Sequence, residues 1–258
     1  MKKIESYAEL SPLLANQLCR GVRTNAFASR EEYEKEIAAG RLFAEEYEGG
    51  LLLLRERESH FRLNFYLKEL KLPALCTEKP LVTEIAAREK DLPLWEAAEF
   101  LEGQGFSLDF RRRRLRREAG LAEEGTCPVC RASAPDAEQI TALFAACFDE
   151  NTGCLPTKDE LAELIKEGKL LCVKDGGVAG LLHFEKGRAS AEIRHLAVLP
   201  AYRKKGFAQA LFSAFAAETK GLRSTVWVRR GNTPAEKFYE KNGYAPDGWT
   251  SAVLIKKG

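Results

Sequence analysis

The chain has 258 residues, and its 40 Lys and Arg nearly balance 38 Asp and Glu, leaving a formal net charge of +2. That balance argues against a partner chosen by bulk charge, as nucleic acid is. With 45% hydrophobic and 30% charged residues, the composition is globular, and the length suffices for two domains. No apolar run approaches the ~20 residues of a membrane span. Met1-Lys-Lys-Ile-Glu-Ser6 lacks the apolar core of a signal peptide. Residence in the cytoplasm without a membrane partner is therefore expected, and the odd count of seven cysteines is expected to be reduced thiols.

In chain order, helical periodicity covers 6–18 and 29–39, with Ser6 and Ser29 as N-caps and Gly40 as a stop. Strands are expected at 41–48, 51–57 and 61–68, with a further strand at 81–87. Residues 94–104 read as a helix opened by Pro93, and 107–116 close the first half. Phe110-Arg-Arg-Arg-Arg-Leu-Arg-Arg117 is the densest charge run. It reads as a strand whose side chains alternate between faces and pair with carboxylates, rather than as a nucleic-acid site, because no aromatic side chains interleave. The expected division is a first domain over 1–118, a linker over 119–126 and a second domain over 127–258.

The second half opens on Cys127-Pro-Val-Cys130. This is half of a zinc ligand set that Cys147 and Cys154 could complete on paper, but Cys147 lies inside a helical run, so no metal is expected. Helices follow at 136–148 and 158–166, the latter ended by Gly168. Strands are expected at 170–174 and 178–185 around an Asp175-Gly-Gly177 turn. A central strand at 191–199 is ended by Pro200. A helix at 207–218, a strand at 225–229, a helix at 233–241 capped by Asn232 and a last strand at 249–256 complete the half. Phe100-Leu-Glu-Gly-Gln-Gly-Phe106 matches Phe238-Tyr-Glu-Lys-Asn-Gly-Tyr244, and Gly40-Arg-Leu42 matches Gly168-Lys-Leu170. The halves thus read as two copies of one plan, the second longer by about ten residues between these landmarks. The extra residues fall at 203–208 and the helix after it. The first copy has no such turn, and Leu101 stands where the second has Tyr239.

Between the central strand and its following helix, Arg203-Lys-Lys-Gly-Phe-Ala208 is a basic turn. A helix start presents unpartnered N–H groups and the positive end of the helix dipole, and Gly206 lets the backbone approach an anion closely. Leu196-Ala-Val-Leu-Pro-Ala-Tyr-Arg-Lys-Lys-Gly-Phe-Ala208 resembles the acyl-CoA motif of the GNAT superfamily of N-acyltransferases. Asn232-Thr-Pro-Ala-Glu-Lys-Phe-Tyr-Glu-Lys-Asn-Gly-Tyr244 is similar to that family's second signature. The resemblance covers about residues 127–258. It implies an α/β (α+β) chain of two tandem GNAT-like domains, the first degenerate, each a mixed, mostly antiparallel sheet flanked by helices. The function it implies is acetyl transfer from acetyl-CoA to an amine of a small molecule or peptide, by direct attack in a ternary complex.

On that resemblance, Arg203, Lys204, Lys205, Gly206, Phe207 and Ala208 hold the diphosphate, and Asn232 contacts CoA. The strand edge Leu196, Ala197 and Val198 pairs with the pantetheine amides. Tyr239 protonates the leaving thiolate, and 151–156 form a substrate loop. Three candidates stand for the base: Glu192, His195 or water. On a regular strand Glu192 points where Val198 points and His195 to the other face, so at most one of them faces the cleft. A protein that binds acyl-CoA without transferring the acyl group is the second reading, and a nucleic-acid module built on 111–117 the third. The sequence leaves the acceptor, acyl length and oligomeric state open.

Overall fold

A computed structural model describes residues 1–120 and 127–258; the greater part of the expected linker lies outside the described residues. The chain forms two compact units, Met1–Arg112 with Trp249–Gly258, and Arg113–Gly248.

The first unit runs β1 (Lys2–Lys3), α1 (Tyr7–Ala15), β2 (Arg23–Thr24), α2 (Arg30–Ala38), β3 (Leu42–Tyr47), β4 (Gly50–Glu56), β5 (Phe61–Leu67), β6 (Leu81–Arg88) and α3 (Leu92–Gly103). Strands β1, β3, β4 and β5 pair antiparallel in that order. Strand β6 then lies parallel to β5, but only over Phe61–Leu81 and Arg62–Val82. The uninterrupted Leu51–Leu54 run of β4 is buried on both sheet faces. Leu51 and Leu53 join Leu10 of α1 and Tyr33 of α2, while Leu52 and Leu54 join Leu101 of α3. Strands covered on both faces read as continuous apolar runs for this reason. The predicted caps form: Ser29 and Glu32 close a reciprocal capping box on α2, and Gly40 leaves the helix at φ 67°.

The second unit repeats this element order with one helix more and with no strand between its first two helices. It runs β8 (Cys130–Arg131), α4 (Ala137–Cys147), α5 (Lys158–Lys166), β9 (Leu170–Lys174), β10 (Val178–Lys186), β11 (Ser190–Val198), α6 (Phe207–Glu218), β12 (Arg223–Arg229) and α7 (Thr233–Lys241). The strands from β8 to β11 pair antiparallel in order. Strand β12 is parallel to β11 from Ser190–Arg223 to Ile193–Val226. The additional helix α6 fills the place where the first unit runs from β5 to β6 through 68–80 without a helix. Thr157 and Glu160 repeat the capping box on α5, and Gly168 repeats the φ of 67°.

Two strands carry the chain between units: β7 (Ser107–Arg117) and β13 (Ala245–Lys256). This differs from the expected division at 118–127. The final strand pairs antiparallel with β6 from Trp249–Arg88 to Lys256–Leu81, and Ala252 and Leu254 are part of the first unit's core. The physical reason is burial: Leu254 is fully enclosed there, and removing a Leu side chain from water stabilises by about 1.5–3 kcal/mol. The arginine run on β7 is neutralised as a strand. Arg112 meets Glu84 at 2.6 Å, Arg113 meets Glu236 at 2.8 Å, Arg114 meets Asp247 at 2.7 Å and Arg116 meets Glu118 at 2.9 Å. Arg111 lies over Trp95 and Arg117 over Phe212.

Leu254→Ala is expected to cost about 2–5 kcal/mol and to act on the first unit. Hydrogen exchange should accelerate at the β4 and β5 amides while β9 and β10 stay protected. Equal acceleration in both units would contradict the assignment of the final strand.

Candidate functional site

Strand β11 carries the site, and its sequence position 194 decides which side chains share a face. His183 of β10 stands opposite His195, but the next residue, Phe184, stands opposite Ile193. Arg194 is therefore an extra residue, a β-bulge, which inverts the alternation beyond it. Ile193, Leu196 and Val198 all pack toward Leu211, Phe212 and Phe215 of α6. Ala197 packs toward Ile140, Leu143 and Phe144 of α4. The expectation that Glu192 follows Val198 and opposes His195 is thereby corrected. Glu192 pairs with Glu185 and His195 with His183 across the ladder, so all four side chains lie on the α4 face.

On that face the two histidines form a stacked pair, ring planes 17° apart, with Nδ1 atoms separated by 3.1 Å. His195 Nε2 is 2.8 Å from the carbonyl oxygen of Gly153, and its ring meets Phe144 and Phe148 edge-on. A carbonyl only accepts, so Nε2 of His195 carries hydrogen and its Nδ1 is the acceptor. In the neutral pair His183 Nδ1–H then donates to it. Both ring nitrogens of His195 are thus engaged, one of them anchoring the expected substrate loop. Asp149 Oδ1 braces the same loop by accepting from Thr152 N at 2.9 Å and from the Thr152 hydroxyl.

Charges surround the pair. Glu185 Oε1 is 3.7 Å from His183 Nε2, Lys169 is 2.7 Å from Glu185, and Arg194 reaches Glu192 at 3.2 Å. Burial lowers the His183 pKa, and Arg194 and Lys169 add to that against the pull of Glu185. Burial alone would raise Glu185, but His183 and Lys169 outweigh it and bring its pKa to about 2.

At the end of β11 the chain passes through a single 3-10 turn, Pro200–Tyr202, into the basic turn. Lys204 has φ 63°, and Gly206 caps α6 in the left-handed region at φ 82° with no side-chain hydrogen bond to the first turn. The opening N–H groups of α6 therefore receive no side-chain cap from Gly206. Arg203 Nε donates to Val198 O at 3.2 Å, and Lys205 lies 4.8 Å over the Tyr202 ring. Beside this turn the two central strands part, since the parallel register ends at Ile193–Val226. Leu196, Ala197 and Val198 lie beyond that last pair.

Helix α7 places the remaining predicted residues. Asn232 Oδ1 accepts from Ala235 N at 3.3 Å, a true N-cap. Tyr239 is 5% exposed and packs edge-on against Phe238 and Tyr244. Burial pushes its phenol well above the ordinary range, and Tyr244 adds to the shift, so the hydroxyl stays protonated at any working pH. A residue pair that sequence reasoning missed is Gln209 with Asn242. Their side-chain amides exchange bonds of 3.0 and 3.2 Å between α6 and α7, a reciprocal fit that no spacing rule announces.

The Cys127-x-x-Cys130 thiols point apart. Cys130 Sγ is 3.4 Å from Cys172 Sγ, while Cys127 Sγ is directed at Lys205 O, 3.8 Å away. Among the described residues no three His, Cys, Asp or Glu side chains converge to hold a metal, and no helix is long and apolar enough to cross a membrane. A cleft of about 420 Å³ lies between α4 and the β9–β10 hairpin, lined by Gln139, Leu143, Val178, Leu199 and Tyr202. It contains neither Gly206 nor Tyr239.

Residues 166–246 match the family model described as an acetyltransferase (GNAT) domain, which supports the resemblance of this part of the chain to the GNAT superfamily. No curated protein matches the chain significantly. Among solved structures, an acetyltransferase from the GNAT family of Colwellia psychrerythraea aligns over 100% of this chain and 99% of its own, with 14% identity and a TM-score of 0.57. A GCN5-related N-acetyltransferase from Kribbella flavida aligns over 99% of this chain and 71% of its own, with 11% identity and a TM-score of 0.58. One from Sphaerobacter thermophilus aligns over 81% and 78%, with 12% identity and a TM-score of 0.54. At these identities the likeness is one of fold.

The histidine pair gives a pH signature. His183 titrates below its unfolded value, so the native state resists a proton that the unfolded chain accepts. The stability it contributes is present above about pH 6.5 and is lost as pH falls toward its folded pKa. His183→Gln is expected to flatten the decline of Tm between about pH 7 and 5.5. An unchanged slope would contradict the neutral, buried assignment.

Proposed function

We propose that the second unit transfers an acetyl group from acetyl-CoA to an amine, by direct attack within a ternary complex. The observation that carries this reading is the parting of β11 from β12 beside the Gly206-capped start of α6. An extended, amide-bearing arm can add to the free edge at Leu196, Ala197 and Val198 as a strand adds to a sheet. The diphosphate at the arm's end then meets the N–H groups of Gly206, Phe207 and Ala208, with Arg203, Lys204 and Lys205 supplying charge. Asn232 stands at the start of α7 as a further contact for CoA.

Transfer has two proton steps. The amine attacks the thioester carbonyl, and the carbon–sulfur bond breaks as the tetrahedral adduct collapses. Tyr239 gives its phenolic proton to the departing thiolate; its burial keeps that proton in place until a strong base forms beside it. Glu192 is the side-chain candidate for taking the amine proton, because both nitrogens of His195 are already occupied, and a water is the alternative. The acceptor class is an amine of a small molecule or peptide, bound on the α4 face beneath the loop that His195 anchors. The first unit is read as a degenerate copy of the same plan.

Acyl-CoA binding without transfer is the second reading. The enclosure of Tyr239 favours it, since a 5% exposed phenol reaches a ligand only at its hydroxyl edge. Calorimetric titration with acetyl-CoA separates the readings from simple shared ancestry. The wild type is expected to bind one equivalent, and Gly206→Glu none, because it sets a side chain at φ 82° and a carboxylate in an anion cradle. Tyr239→Phe is expected to lower kcat by roughly 10²–10⁴-fold with little change in acetyl-CoA affinity. Turnover of the variant equal to wild type would remove the acid role, and binding without turnover across an amine panel would favour the second reading.

A further inference from the structure

Each unit contains a parallel strand pair that parts after a few residues, and the two partings end differently. In the first unit the register of β5 with β6 stops at Arg62–Val82; in the second that of β11 with β12 stops at Ile193–Val226. Beyond these last pairs lie Phe65, Tyr66 and Leu67 on β5 and Leu196, Ala197 and Val198 on β11. In the second unit the chain between α4 and α5 contains no strand, and its Gly153 carbonyl approaches the side chain of His195. In the first unit the chain between α1 and α2 contributes β2, which pairs antiparallel with β5 through Arg23–Leu67 and Thr24–Tyr66.

The residue after β2 completes the fill. Asn25 is 6% exposed and bonds to both parted strands. Its Oδ1 accepts from Phe65 N at 2.8 Å, and its Nδ2 lies 3.3 Å from Leu63 O on β5. On β6 the same nitrogen reaches Thr83 Oγ1 at 2.8 Å and Glu84 O at 3.1 Å. The Thr24 hydroxyl donates to Phe65 O at 2.7 Å. Arg23 holds the outer end, through Pro93 O and Glu96 of α3, each at 3.2 Å. Main-chain groups that a parted ladder strands must find partners, and here a primary amide and two strand residues supply them.

We infer that Arg23–Asn25 is the built-in occupant of the first unit's strand gap: an internal segment holding the position that an amide-bearing, extended ligand would take. The chain accordingly has one groove for an acyl-CoA arm, in the second unit, and the first unit's groove is closed by its own chain. The absence of a helix over the described residues 68–80 agrees with this, because there is no helix start there to receive a diphosphate. The single-groove conclusion rests on the acyl-CoA reading of the second unit; the occupancy of the first unit's gap stands on hydrogen bonds alone.

The test reads the two parts separately on the full chain. Hydrogen exchange by NMR should show the Phe65 amide protected in the wild type. In Asn25→Ala that amide should exchange roughly 5- to 100-fold faster, the range for a buried donor left without its acceptor, while β9 and β10 amides are unchanged. Thr24→Val, a milder change that removes the bond to Phe65 O, guards against an unfolded Asn25 variant and should accelerate exchange at the β2–β5 pair. Calorimetry with acetyl-CoA should give one site per chain, abolished by Gly206→Glu. A Phe65 amide unprotected in the wild type, or indifferent to both substitutions, overturns the occupancy. Two sites per chain, or a site surviving Gly206→Glu, overturns the single groove. If the wild type binds no acetyl-CoA, the acyl-CoA reading of the second unit and the single groove fail together, and the exchange data still decide the occupancy.

Discussion

Wherever two parallel strands diverge, their facing N–H and C=O groups lose one another, and a folded protein must satisfy them or leave them to water or a ligand. Both units of this chain are arranged around that constraint. In the second unit the divergence lies between a strand that ends at Pro200 and one that leads to α7, and α6 fills the crossover between them. The same crossover sets a helix start at the mouth of the gap. Geometry thus couples two different attractions, main-chain pairing along the strand edge and anion binding at the helix start. A ligand with amides at one end and phosphates at the other engages both. That conjunction, more than any single side chain, supports the acyl-CoA reading.

The bulge at Arg194 is the second determinant. One inserted residue changes the phase of the strand just before the gap. Without it, His195 would share a face with Ile193 and meet the aromatic core under α6, where Phe212 and Phe215 are fully buried. With it, His195 turns to the α4 face, finds His183 and Gly153, and joins Glu192. Bulges tend to sit where a strand must re-aim a side chain. Here the bulge sets His195 beside His183, Glu185 and Glu192, with Lys169 paired to Glu185 and Arg194 to Glu192. Burial there disfavours the charged form of His183.

The sequence made legible what depends on local chemistry. Gly206, Pro200 and the capping pairs Ser29–Glu32 and Thr157–Glu160 act within a few residues of themselves, so their roles follow from spacing. The apolar Leu51–Leu54 run announces a doubly covered strand for the same reason. The bulge was not legible, since Arg-His-Leu at 194–196 has no glycine or turn residue to mark an extra position; its phase is set by the partner strand β10. The return of Trp249–Gly258 to the first unit was hidden as well. An amphipathic strand at the end of a chain carries its burial pattern but not the identity of the sheet that completes it.

Asn25 shows the same limit from the other side. In sequence it is an unremarked polar residue between two helices, and its neighbours Arg23 and Thr24 form too short a run to register as a strand. Its role arises only because the β5–β6 divergence brings acceptors from two strands within reach of one amide. The chain between α1 and α2 descends into the sheet of the first unit as β2, whereas the chain between α4 and α5 of the second contains no strand. In the first unit that descent satisfies the main chain internally, and the sheet needs no ligand to be complete. In the second the loop's Gly153 carbonyl meets His195 Nε2 instead, and on the acyl-CoA reading the strand edge is left for a partner from outside the chain.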